Sequence, residues 1–86
     1  MKIAVLGLWH LGSVTAACLA SAGHTVSAWD PEPATVTALA DGRPPIAEPG
    51  LPELVAAGLA NGRLTFPTDL ERAVSDAEIV LSLIHI

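Results

Sequence analysis

The chain has 86 residues, 51% of them hydrophobic and 15% charged, with a net charge of −5. That length allows one domain at most, and the composition describes a packed core rather than a disordered segment. The permanent cations Lys2, Arg43, Arg63 and Arg72 are scattered and aromatic residues make up only 3%, so neither a phosphate-tracking basic stripe nor a base-stacking platform is present, and nucleic acid is excluded as a partner.

In chain order, residues 2–6 form a continuous apolar run that reads as a strand buried on both faces, as in a parallel sheet. From Leu11 the residues Leu11, Val14, Cys18, Leu19 and Ala22 recur at helical spacing and predict an apolar stripe. Small residues fill the rest of that helix, and Gly23 is its stop. Thr25 to Trp29 is a second strand ending at Asp30. Pro31, Glu32 and Pro33 suit a helix start, and the helix they open runs to about Asp41 with Val36 and Leu39 inward. Pro44, Pro45 and Pro49 exclude regular structure from the next connection. Leu51, Leu54, Val55, Gly58 and Leu59 keep helical spacing up to Asn61-Gly62. Residues 63–66 are a brief third strand. Thr68-Asp69-Leu70-Glu71 has the form of a capping box, which predicts Thr68 as the cap of a helix over 69–75. Residues 79–84 are a fourth strand, expected to be buried.

The sum is an α/β chain with a Rossmann-like parallel sheet. Right-handed crossovers place the first strand centrally and give the order 3-2-1-4. Such a sheet ending on its fourth strand leaves an open edge, and the apolar share is high for so short a chain. Residues 1–86 are therefore expected to be the N-terminal part of a larger doubly wound domain. Met1-Lys2 and the apolar run after it imitate a secretory signal, but Gly7 and His10 interrupt it. No stretch reaches the ~18–20 apolar residues of a membrane span, and a single cysteine suits a reducing compartment. The expected setting is cytoplasmic, with no membrane partner.

The turn Gly7-Leu8-Trp9-His10-Leu11-Gly12 joins the first strand to the first helix. Its order resembles the dinucleotide fingerprint G-x-G-x-x-G, which presents backbone amides to a pyrophosphate at a helix N-terminus. Here Trp9 replaces the middle glycine. Gly7 suits the tight turn and Gly12 a close helix–strand approach, although both glycines would also serve a turn that binds nothing. Asp30 lies 23 residues after Gly7, at the end of the second strand. A carboxylate there accepts from a ribose 2′-hydroxyl and repels a 2′-phosphate, and no Lys or Arg in residues 29–35 would hold that phosphate. The cofactor expected is NAD, bound by Gly7, Trp9, His10, Leu11, Gly12 and Asp30. Asp30 as a plain cap before Pro31 is the alternative. His10 either donates to a phosphate or points to solvent.

Other polar residues carry less. Cys18 falls on the predicted apolar stripe and reads as a small hydrophobe, not a nucleophile. His10, His24 and His85 show no metal-ligand spacing, so no metal site is expected. Arg63 either contacts substrate or pairs with a local carboxylate, and pairing is the expectation for a lone arginine near a strand start. One carboxylate, Glu48, sets no acid–base role. No residue of the chain is assigned a catalytic role.

The chain resembles the N-terminal NAD-binding domain of the UDP-glucose/GDP-mannose dehydrogenase family. The matching residues are Met1-Lys2-Ile3-Ala4-Val5, Ala17-Cys18-Leu19-Ala20, Gly23-His24-Thr25-Val26 and Asp30. More specific are Pro45-Ile46-Ala47-Glu48-Pro49-Gly50-Leu51 with Glu53-Leu54, then Gly62-Arg63-Leu64 and Thr68-Asp69-Leu70. The resemblance implies an NAD-dependent oxidation of a nucleotide sugar's primary alcohol to a carboxylate, in two hydride transfers. It also implies central and C-terminal domains, absent from these residues, that supply the catalytic groups and sugar contacts, and a homo-oligomeric parent. This portion alone is then expected to be inactive. Two departures stand out. Trp9 replaces a glycine, and Leu83-Ile84-His85-Ile86 replaces a Gly-Thr-Pro-like segment, so the end is read as truncated and His85 receives no role. The rival reading is a non-catalytic Rossmann-like module whose dinucleotide site is closed by Trp9. Another dehydrogenase class with the same topology is disfavoured by the Glu48–Leu51 loop.

Overall fold

The structure, a computed structural model, describes residues 1–44 and 47–84. Pro45, Ile46 and His85, each part of an expectation above, lie outside the described residues. The element order is β1 (Lys2–Leu6), α1 (His10–Ser21), β2 (Thr25–Trp29), α2 (Pro33–Ala40), α3 (Leu51–Ala60), β3 (Leu64–Thr65), α4 (Leu70–Val74) and β4 (Ile79–Ser82). The four strands form one parallel sheet in the order β3-β2-β1-β4. This is the order expected from the sequence. In register, Leu6 stands opposite Trp29 of β2 and Ser82 of β4, so the central strand and both neighbours end level beside the Gly7 turn.

The core lies between the sheet and α1, α2 and α3. Ile3, Val5, Val26 and Ala28 of the strands pack with Ala16, Ala17, Ala20, Val36, Leu39, Leu51 and Val55. Complete burial of Leu39 alone removes an apolar side chain worth about 1.5–3 kcal/mol from water. Thr25 and Ser27 alternate to the other face, where they line small clefts with Arg72 and Ala73 of α4.

Three expectations need correction. The buried face of α1 is Gly12, Ser13, Ala16, Ala17 and Ala20, not the stripe through Leu11, Val14, Cys18, Leu19 and Ala22. Leu11, Cys18 and Ala22 are exposed, while Val14 and Leu19 only flank the core. Alanines bring the helix axis close to the strands, and larger side chains there would hold it off. The cap of α4 is Asp69, whose carboxylate accepts from the Glu71 N–H at 3.1 Å, and not Thr68. A carboxylate next to the first helical residue reaches that amide directly, which moves the start one residue later. Finally, β4 is exposed along its whole length. Its one extensive neighbour among the described residues is β1, so Ile79, Val80 and Leu81 have no layer over them.

Candidate functional site

The site grows from the level ends of β1 and β2. The Gly7 N–H donates to the Trp29 carbonyl at 2.7 Å and so extends the ladder one step past β1. Gly7 then turns with φ +96°, a backbone conformation that side chains disfavour, and a Cβ there would lie 2.9 Å from the Leu83 carbonyl carbon. Glycine is required on both counts. Leu8 follows, fully buried, anchoring the turn in the core. Its carbonyl accepts from the buried Ser13 hydroxyl at 2.7 Å.

Gly12 sits one helical turn later against that bend. A Cβ on it would overlap the Gly7 carbonyl oxygen, so the absence of a side chain lets α1 begin directly on the turn. The first four amides of an α-helix have no intrahelical acceptor. In α1 the N-cap residue Trp9 supplies no side-chain acceptor, and no acidic side chain occupies the first turn. A positive dipole end of a twelve-residue helix is thus left facing outward, which is the electrostatic requirement for a phosphate.

Asp30 is brought to the same place from β2. Its Oδ2 accepts from the Leu8 N–H at 2.7 Å and its Oδ1 from the Glu32 N–H at 2.8 Å. A carboxylate has about four acceptor positions, so these two bonds fix its orientation and leave capacity for another donor. Asp30, Gly7 and Trp9 line one cleft of about 290 Å³ together with Pro31, Leu83 and Ile84.

Trp9 has φ −77°, an ordinary value, so the turn needs no glycine there for its conformation. Trp9 is 66% exposed and lines the wall of that cleft. Leu11 is similarly exposed on the first turn of α1 and is not among the residues lining the cleft. His10 Nε2 lies 3.3 Å from Glu48 Oε2, which links the turn to the loop before α3. Nothing in the spacing of the two residues announces that pairing.

Cys18 lies exposed on α1 and is not among the residues lining the cleft. Among the described residues Arg63 does not take the carboxylate partner expected of it. Its Nη1 donates to the Gly23 carbonyl at 2.6 Å, where a guanidinium meets the negative dipole end of α1. Among the described residues no group of three or more His, Cys, Asp or Glu side chains is gathered to hold a metal ion, and no helix is long and apolar enough to cross a membrane.

The groups gathered here fit a dinucleotide: two positions closed to side chains, an uncapped helix start, and an oriented carboxylate at the end of β2. Comparison with known proteins agrees. Residues 1–84 match the family model of the UDP-glucose/GDP-mannose dehydrogenase family, NAD binding domain. UDP-glucose 6-dehydrogenase of Rhizobium meliloti is 42% identical over 80 residues, covering 93% of this chain and 18% of the relative. GDP-mannose 6-dehydrogenase of Pseudomonas aeruginosa is 38% identical over 79 residues, again with 18% of the relative covered. Among solved structures, a ternary complex of GDP-mannose dehydrogenase from Pseudomonas aeruginosa superposes with a TM-score of 0.94 at 35% identity, covering 99% of this chain and 20% of that one. The chain thus spans about a fifth of the length of these relatives. It belongs to the UDP-glucose/GDP-mannose dehydrogenase family, and residues 1–84 match that family's NAD-binding domain.

Proposed function

We propose that the full protein is an NAD-dependent nucleotide-sugar 6-dehydrogenase of the cytoplasm, oxidising the primary alcohol of a UDP- or GDP-sugar to a carboxylate. Residues 1–86 form the N-terminal part of its cofactor domain, and the catalytic and sugar-binding groups lie outside them. The reading is supported by relatives of both substrate classes, UDP-glucose and GDP-mannose 6-dehydrogenases. NAD supplies the hydride acceptor, and alcohol to carboxylate requires two such transfers with one water consumed.

The residues of this chain bind and orient. Gly7 and Gly12 keep side chains away from the turn, and the free amides of the first turn of α1 receive the pyrophosphate, with His10 beside them. Asp30 uses its remaining acceptor capacity for the ribose hydroxyls of the adenosine half and turns away a 2′-phosphate. Trp9 and Leu11 complete the set of cofactor-binding residues. The observation that carries the assignment is the Leu8–Asp30 hydrogen bond, which holds the Asp30 carboxylate against the Gly7–Gly12 turn and so supports one ligand meeting both.

The test is a titration of the natural full chain with NAD and NADP, followed by NADH formation with UDP-glucose and with GDP-mannose. Binding of NAD in preference to NADP, with two NADH formed per sugar oxidised, is expected. NAD binding that appears only after Trp9→Gly would instead establish the closed, non-catalytic module.

A further inference from the structure

We propose that Trp9 is an aromatic wall against which the adenine ring of NAD stacks, and this rests on the NAD reading above. The turn position it occupies carries no side chain in the dinucleotide fingerprint, so the contact would be particular to this chain.

Trp9 does no evident work in the fold. Trp9 is 66% exposed, whereas Trp29, the other tryptophan, is half-buried and donates from Nε1 to the Thr68 carbonyl at 3.1 Å. Among the described residues the Trp9 indole N–H has no acceptor, and Trp9 gives α1 no side-chain cap. A large apolar ring kept in water at a helix start is an unfavourable arrangement unless something covers it. Its surroundings indicate what would. The cleft that it lines has apolar walls in Pro31, Leu83 and Ile84 and one carboxylate, Asp30. Its volume, about 290 Å³, is near the lower end for small-molecule sites.

A flat heteroaromatic ring joined to a diol matches that lining, and adenosine is such a group. Asp30 serves the ribose of the adenosine half, so the base attached to that ribose meets the walls that Asp30 shares with Trp9. The nicotinamide is separated from this half by the whole pyrophosphate. The indole therefore acts on the adenosine end and leaves the reacting end untouched.

The experiment uses the natural full chain and three probes: NAD, ADP-ribose, which retains the adenine, and nicotinamide mononucleotide, which lacks it. Replacing the indole by an aliphatic side chain, Trp9→Leu, is expected to weaken NAD and ADP-ribose binding about ten-fold, within the range for base–aromatic stacking. Trp9→Phe restores most of the loss, and binding of nicotinamide mononucleotide is unchanged by either variant. ADP-ribose quenches tryptophan fluorescence in the wild type, and the quench disappears in Trp9→Leu although Trp29 remains. Equal or tighter ADP-ribose binding by Trp9→Leu overturns the stacking role, and the NAD reading survives if the wild type still binds NAD. Failure of every form to bind NAD overturns both.

Discussion

The Asp30 carboxylate ties the end of β2 to the glycine turn, accepting from the Leu8 N–H at 2.7 Å while its other oxygen accepts from the Glu32 N–H at 2.8 Å. One side chain thereby bridges the turn after β1 and the start of the segment leading into α2. An Asp30→Asn substitution keeps the shape but leaves one oxygen for two amide donors, and its NH2 group faces the other N–H. The expected cost is about 1–3 kcal/mol of stability, the penalty for an unpaired, partly buried donor. Discrimination against NADP should relax in the same variant, because the charge that repels a 2′-phosphate is gone. Chemical denaturation measures the first effect, and parallel NAD and NADP titrations the second. Unchanged stability would show that the two amides find other partners.

Gly12→Ala should be more damaging than its size suggests. The added methyl overlaps the Gly7 carbonyl oxygen, a backbone atom held by the β1–β2 ladder and by the conformation of Gly7. Relief requires the start of α1 to move away from the turn. Overpacking of this kind costs about 1–3 kcal/mol even where side chains can yield, and here backbone must. Thermal melting should show a clear drop, and NAD binding should fall further than the melt alone explains. A variant that melts and binds like the wild type would place the helix farther from the turn than the structure does.

The turn and the sheet order were legible because both are encoded locally. An apolar run, a glycine, an alanine-rich helix and an acidic residue closing the next strand are written in consecutive residues, and crossover handedness supplies the order β3-β2-β1-β4. The face of α1 was not legible. Periodicity selects the largest apolar residues, but a helix laid close on a sheet buries its smallest ones, so Leu11 and Cys18 point outward while Ala16, Ala17 and Ala20 face the core. The exposure of β4 was hidden for a related reason. Ile79-Val80-Leu81 reads as a buried strand whatever lies over it. The partners of His10 and Arg63 were out of reach, since contacts made across loops leave no pattern in the spacing.

The start of α4 offers a test of one such local error. Thr68→Ala removes a hydroxyl that caps nothing, and the Thr68 carbonyl that receives the Trp29 indole N–H stays in place. Asp69→Ala removes the acceptor for the Glu71 amide. The expected result is a loss of about 1 kcal/mol for Asp69→Ala, as for other helix caps, and little change for Thr68→Ala. The reverse ranking in denaturant melts would restore Thr68 as the cap.

The contact between His10 and Glu48 allows the two roles open to His10 to be separated. Both side chains are largely exposed, 60% and 41%, at 3.3 Å. An exposed pair of this kind contributes between about 0 and 1 kcal/mol. A double-mutant cycle of His10→Ala with Glu48→Gln should therefore give a coupling within that range and leave the melt almost unmoved. Binding then becomes the informative measurement. If His10 serves the pyrophosphate, His10→Ala weakens ADP-ribose and NAD binding and reduces its dependence on salt, whereas Glu48→Gln leaves both as they were. If the residue serves only to hold the loop, the two single variants shift binding alike, and the double variant adds nothing to either. Equal effects from the two would remove His10 from the cofactor site and leave the phosphate to the backbone amides of α1.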